Sequence, residues 1–252
     1  MPHDRAIIEV GGPDREAFLQ NLVTNDLARA RGGLAYAALL TPQGKLLADF
    51  LLKGEEGRIL LDADASLGTM LLQRLSMYRL RADVSLAPTT LGVRRGTGPA
   101  PEGAVADPRH PALGWRLYGA AGDDGTDWDA LRVEHGIPEW GAELTPETYI
   151  LEAGFERLHG VDFRKGCYVG QEVTARMKHK TELRKGLVRV LVEGEAPVAT
   201  PILMADGREA GTLHTRSGGR ALAHLRFDRL EQGMAAGAAR VSPDPGWPLQ
   251  AR

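Results

Sequence analysis

The run Ala6-Ile7-Ile8-Glu9-Val10 is short and apolar, which predicts a strand. Gly12-Pro13-Asp14 follows and predicts a helix start, with proline where a missing N–H costs nothing. Phe18, Leu19, Leu22 and Val23 then recur on one helical face. Leu34 to Leu40 and Leu46 to Leu52 read as strands joined by the turn Thr41-Pro42-Gln43-Gly44, a hairpin. Arg58 to Leu61 reads as another strand. Leu67, Met70, Leu71, Leu75 and Tyr78 share a face, so Ser66 to Arg79 reads as a helix. Ala82 to Leu86 alternates like a strand.

Gly96 to Pro111 is rich in glycine and proline and predicts irregular chain. Gly114 to Tyr118 is a strand candidate. Asp127 to His135 predicts a helix stopped by Gly136, and Pro146 to Gly154 predicts another. After Lys185 the texture changes. Leu187–Val192, Pro201–Met204, Glu209–His214 and Arg220–Phe227 are short strand-like runs separated by Gly, Pro and Asp. That spacing predicts an antiparallel barrel or sandwich. The expected division is therefore 1–184 and 185–252.

Composition narrows the class without naming a function. With 43% hydrophobic and 25% charged residues over 252 positions, the chain is globular and long enough to bury a core unaided. The net charge of −2 creates no global field demanding nucleic acid or a membrane. No run approaches the ~20 apolar residues of a membrane span. The one cysteine excludes an internal disulfide and a four-cysteine metal site built from this chain alone. A free thiol, with an N-terminus that resembles neither a signal nor a transit peptide, predicts a cytoplasmic location.

Charge is uneven along the chain. Pro101 to Glu156 holds 12 acids against three arginines, whereas Arg157 to Arg189 holds nine Lys/Arg against three acids. Two balancing solvated faces would explain this, and so would a basic wall around an anionic ligand. Inside the basic segment lies Phe163-Arg164-Lys165-Gly166-Cys167-Tyr168-Val169-Gly170-Gln171-Glu172. Glycines bracket the Cys-Tyr-Val triplet and permit backbone that other residues resist. Arg164 and Lys165 would favour a thiolate if they lie beside it, and Gln171-Glu172 would open a short helix to Met177. A lone cysteine is more often a buried small hydrophobe, and chemistry alone leaves both readings open. No histidine or second cysteine stands at ligand spacing, so no metal site is expected.

Lys165 to Glu172 closely resembles the K-G-C-[FY]-x-G-Q-E signature of the YgfZ-type folate-binding proteins, which are associated with iron–sulfur cluster assembly and repair. The resemblance runs nearly the whole chain. It takes in Phe18-Leu19-Gln20 with Thr24-Asn25-Asp26, Thr41 to Lys45, Tyr78-Arg79-Leu80-Arg81, Arg132 to Pro138 (R-x-E-x-G-I-P) and Gly211 to Leu225. That family shares its fold with the T-protein of glycine cleavage, a tetrahydrofolate-dependent aminomethyltransferase. The implied fold class is α+β: two intertwined ferredoxin-like α+β units plus a C-terminal antiparallel β-barrel.

The resemblance also implies roles. Cys167 is the expected reactive residue, with Lys165 tuning it. Glu134 matches the pterin-binding glutamate, whose carboxylate accepts two hydrogen bonds from the pterin edge. Asp49, Tyr168, Gly170, Gln171, Glu172 and Arg176 are the other expected residues around tetrahydrofolate. The catalytic aspartate of the T-protein corresponds to Ala48, and Asp62 stands where that protein has asparagine. Both departures argue against aminomethyl transfer. The function implied is folate binding in support of iron–sulfur cluster assembly or repair, with assembly machinery or client enzymes as partners, tRNA-modifying radical enzymes among them. A one-carbon transferase is the alternative. A tRNA-binding accessory using Arg176-Met177-Lys178-His179-Lys180 is a third reading, with little aromatic support for base stacking.

Overall fold

Seven residues, Arg5–Gly11, form β1, which is buried on both faces: Ile8 and Val10 on one, Ile7 on the other. The structure is a computed structural model that describes residues 4–247. The helix α1 (Arg15–Gln20) buries Phe18 and Leu19; Leu22 and Val23, expected on the same helix, are buried beyond its end. The expected hairpin is present as β2 (Ala35–Leu40) and β3 (Leu46–Glu55), and β4 (Arg58–Asp64) pairs antiparallel with both β3 and β1. The helix α2 (Gly68–Arg79) buries Leu71 and Leu75. The strand expected over 82–86 lies further along, as β5 (Ser85–Pro88), and completes a five-stranded sheet of order β2-β3-β4-β1-β5.

A second sheet includes the strand expected over Gly114 to Tyr118 and draws one short strand from the stretch that reads as irregular. It contains β6 (Gly92–Gly96), β7 (Val105–Ala106), β8 (Trp115–Gly119) and β9 (Gly122–Asp123), in the order β7-β8-β6-β9. Two-residue strands leave no alternation to read, and β6 carries two arginines in five residues. The helix α3 (Trp128–His135) is capped by the Asp127 side chain and stopped by Gly136 at φ +63. A Cβ on Gly136 would sit 2.0 Å from the Trp247 ring, so glycine is needed twice over.

The helix expected over 146–154 is not formed. Thr145 and Thr148 bond each other's backbone and side chains, which locks tight turns in place of helical bonds. The Glu152 carbonyl is taken by the Leu187 N–H at 2.7 Å. By contrast α4 (Gln171–Lys180) runs three residues past the expected Met177.

The C-terminal strands close into a barrel. They are β10 (Lys185–Glu193), β11 (Pro201–Leu203), β12 (Glu209–Ser217), β13 (Arg220–Arg226), β14 (Met234–Ala236) and β15 (Ala239–Pro243), in the order β10-β13-β12-β11-β14-β15. The last two are alanine-rich and hold a single β-branched residue, Val241, yet they supply the buried Met234, Ala236, Ala239 and Val241. The fold class is thus α+β with a closed barrel. By contacts the chain divides into two units: Met1–Thr126 with Phe155–Val173, and Asp127–Gly154 with Thr174–Arg252. The division falls within α4. Among the described residues no helix is long and apolar enough to cross a membrane.

One consequence concerns acid. His224 on β13 and His214 on β12 approach edge to face at 6.2 Å. Burial pulls the His224 imidazole down to about 4, helped by the nearby His214 and Lys185 charges. Its folded pKa lies below the unfolded value of about 6.5, so the unfolded chain binds more protons between these two. Stability therefore falls as pH drops from about 6.5 to 4, by on the order of 3 kcal/mol from this group. A melting curve of His224→Gln against pH should be flatter than the parent's across that window. An unchanged slope would remove His224 as the cause.

Candidate functional site

The loop that carries Cys167 is held at both ends by groups that cannot easily be replaced. Upstream, Thr24 and Asn25 organise the approach. The Thr24 hydroxyl donates to the Gly160 carbonyl at 2.7 Å and accepts from the Ala38 N–H at 2.8 Å. The Asn25 amide donates to the Tyr36 and His159 carbonyls at 2.7 and 2.6 Å. Gly160 lies against Tyr36 and Phe155, whose rings stack at 4.9 Å; a Cβ there would come within 2.6 Å of Phe155. Asp162 then accepts from the Arg164 N–H at 2.8 Å and pairs with Arg29.

Lys165 is buried, and its ammonium donates to the carbonyls of Gln20, Val23 and Asn25 at 2.6, 2.5 and 3.1 Å. Three protons meet three acceptors at the turn that follows α1. The ammonium also stands 5.2 Å from the centre of the buried Tyr168 ring. Burial pulls the Lys165 pKa down to about 8 against the opposing pull of Asp26 and Asp162. The residue expected to tune the thiol is thus an anchor of the loop, tied to the turn Thr24-Asn25-Asp26.

Downstream, Gly170 takes φ +81, and a Cβ there would lie 2.6 Å from the Thr41 carbonyl oxygen. Gly44, at φ +77, faces Val173 in the same way, with 2.8 Å to a built Cβ. The Cys167 loop and the β2–β3 hairpin turn are therefore fitted to each other through glycines. The Gln171 N–H bonds the Tyr168 carbonyl at 3.2 Å where α4 begins. Between the two anchors Gly166 has open space around it, and Cys167 is exposed. The bland alternative for a lone cysteine, a small apolar filler, does not describe this thiol. Glu172 and Arg176 lie exposed on α4.

Asp49, on β3, belongs to a second constellation in the same unit. Its carboxylate accepts from the Tyr36 hydroxyl at 3.0 Å, and the Arg109 guanidinium lies 5.5 Å from the Tyr36 ring centre. Burial, then the Asp49 charge, holds the Tyr36 phenol well above its ordinary pKa. Ala48, its neighbour on β3, is fully buried and offers no carboxylate.

Nearby, charges alternate in a buried chain. Asp62 accepts from Arg5 at 2.6 Å, Arg116 at 3.2 Å and the Tyr118 hydroxyl at 2.9 Å. Asp107 accepts from Arg116 at 2.9 Å and Arg109 at 2.8 Å. Burial alone would raise these carboxyl pKa values, but the facing arginines outweigh it and hold both below the usual carboxylate range. Sequence reasoning noticed only Asp62. The signal for the rest was a charged residue inside an apolar strand, Ile59-Leu60-Leu61-Asp62, which demands buried cations that no local pattern locates.

Glu134 lies in the second unit, on α3, with its side chain 47% exposed. Its oxygens pair with Arg189 at 2.9 Å and Arg220 at 2.6 Å, and both arginines also reach Asp244. Glu134 and Arg220 border a recess with Ala130, Val133, Leu191, Ser217 and Gly219. Arg132 of the same motif is buried on Glu143 at 2.9 Å and serves the packing of α3. Among the described residues no three His, Cys, Asp or Glu side chains are grouped to hold a metal ion.

Comparison with known proteins extends this picture. Residues 184–249 match the family model of the CAF17 C-terminal beta-barrel domain. The chain is 32% identical to the mitochondrial iron–sulfur cluster assembly factor IBA57 of Mus musculus, over 98% of this chain and 85% of that protein. It is 33% identical to the same factor of Homo sapiens, over 90% of this chain and 77% of that protein. Among solved structures, the glycine cleavage system aminomethyltransferase T of Bartonella henselae superposes with a TM-score of 0.76, covering 94% of this chain and 82% of that one at 15% identity. At that identity the likeness shows the fold alone. The relatives' names place them in mitochondria, which overturns the expected cytoplasmic location. A free thiol separates reducing from oxidising compartments; it does not separate one reducing compartment from another.

Proposed function

Because the chain belongs to the family of the iron–sulfur cluster assembly factor IBA57, we propose that it works in the assembly of iron–sulfur clusters, together with the assembly machinery, through Cys167. The observation that carries the reading is identity to these factors along nearly the whole chain, coupled to an exposed thiol on a doubly anchored loop. One thiol cannot hold a cluster by itself, so the cluster is cargo and a partner supplies the remaining ligands. Exposure lets a partner's cluster come within bonding distance of Cys167 without unfolding the loop. Lys165 and Gly170 hold the thiol's position, so little ordering entropy is lost when the partner arrives.

The YgfZ-like side of the proposal is tetrahydrofolate. A folate carries an N–H edge that suits a carboxylate and a carboxylate tail that suits arginine. Glu134 beside Arg189 and Arg220 fits that donor set in kind. The N–H edge would exchange with one of the arginines on Glu134, and the arginine released would keep Asp244. Bound there, folate serves as a ligand and needs no group transfer. The buried Ala48 leaves no carboxylate at the transferase position, which disfavours aminomethyl chemistry. Glu134→Ala should weaken tetrahydrofolate binding by about 1–3 kcal/mol, measured by titration calorimetry. Unchanged affinity would remove Glu134 from the proposal. Clients among tRNA-modifying radical enzymes follow from the same resemblance.

The test of the reading as a whole is selective loss. Cells deprived of the chain should lose the activities of iron–sulfur enzymes and keep those of cluster-free enzymes. Equal loss in both classes contradicts a role in cluster assembly.

A further inference from the structure

The turn after α2 is built at a cost to the fold. Leu80 ends the helix at φ +45 and ψ −104, and the Ala82 N–H bonds the Arg79 carbonyl at 2.8 Å across it. Those angles are those of the first central residue of a type II′ turn, a position dominated by glycine. A leucine there is strained, and its side chain is 88% exposed. Met77, three residues earlier, is 68% exposed. Around them stand the exposed Arg74, Arg79 and Arg81, of which Arg79 also reaches the Val84 carbonyl; no acid lies between Ser66 and Ala82, and the exposed Asp83 follows directly. Strain and exposed apolar surface are both unfavourable for the isolated chain.

We propose that the end of α2 is a docking surface for a protein partner, one that offers an apolar pocket for Leu80 and Met77 rimmed by carboxylates for the three arginines. Charge complementarity selects the rim: Arg74, Arg79 and Arg81 outnumber the exposed acids beside the turn, Asp83 and the Asp14 bonded to its N–H, so the helix end keeps a net positive charge that attracts acid. The aliphatic tips select a protein over nucleic acid, because they give bases nothing to stack on. A membrane fits less well, since α2 has already committed its main apolar face, Leu71 and Leu75, to the core. The strained turn holds Leu80 outward before the partner arrives, so the anchor is preorganised. This surface goes beyond the role of Cys167 and is independent of it.

The test is a titration of the full chain with labelled methionine and leucine methyl groups. The probes are a synthetic helical peptide of alternating Glu and Leu faces, its Lys/Leu counterpart, single-stranded RNA, and vesicles of phosphatidylglycerol and phosphatidylcholine. The Glu/Leu peptide should shift the Met77 and Leu80 methyl signals, and its affinity should fall with salt. Leu80→Gly and the pair Arg74→Glu with Arg81→Glu should each weaken that binding at least about tenfold, which is about 1.4 kcal/mol. Leu80→Gly should melt no lower than the parent. Cys167→Ser should bind the peptide normally, which separates this inference from the role given to the thiol. Several results would overturn it: no shift at these methyls, equal response to the Lys/Leu peptide, preference for RNA or vesicles, or a melting point lowered more than about 5 °C by Leu80→Gly, which would make the leucine structural.

Discussion

Asp62→Ala should cost the first unit about 3–5 kcal/mol, a fall in melting temperature of roughly 6–15 °C. Asp62 is wholly buried and receives Arg5, Arg116 and the Tyr118 hydroxyl. Removing it leaves two guanidiniums facing a space that no longer neutralises them. Arg116 keeps Asp107, which sets the loss nearer the lower end; Arg5 keeps the Asp62 backbone carbonyl and the more distant charge of Asp49. Asp62→Asn retains the shape and part of the hydrogen bonding and should cost less. The acid dependence has a definite sign. The folded pKa of Asp62 is depressed, so its contribution is present above about 3.9 and lost as pH falls through the folded value. Thermal melts of the two variants at pH 7 check this, and an alanine variant as stable as the parent would show the buried chain of charges to be dispensable.

The second large effect is functional. Cys167→Ser should melt with the parent, within about 1 °C, because the side chain is exposed and packs no core. It should nevertheless abolish the chain's contribution to cluster assembly, because a hydroxyl is a hard, weakly acidic group and iron in clusters is held by soft thiolates. The contrast between intact folding and lost function distinguishes a reactive thiol from a structural one. A variant that loses function by unfolding would show as a lower melting point, and thiol-specific alkylation of the parent should proceed in the native state at a rate unchanged by mild denaturant.

Much of this molecule is legible in its residues because local rules and tertiary packing agree there. The hairpin around Thr41 to Lys45, the stop at Gly136 and the onset of the barrel at Lys185 each follow from turn chemistry or a change of period. The failures have physical causes. The stretch 146–154 carries helix-compatible residues, yet the hydroxyls of Thr145 and Thr148 offer its backbone better local partners. The strands β14 and β15 are short and, Val241 apart, made of residues with low strand preference, and closure of the barrel decides them. At the candidate site Cys167 stood out by its motif. What holds it does not: Lys165 reads as a cation for the thiol, and only the fold brings the turn Thr24-Asn25-Asp26 beside it, about 140 residues away in sequence. The partners of Glu134 and Asp62 are likewise distant arginines that no spacing rule reveals.

The most direct measurement is the activity of an iron–sulfur enzyme in cells that lack the chain and are supplied with either the parent or Cys167→Ser at equal protein level. The parent should restore full activity, and the serine variant should give activity no higher than the empty control. Restoration by the serine variant to the parent's level would contradict this, and would return Cys167 to the status of an ordinary exposed residue.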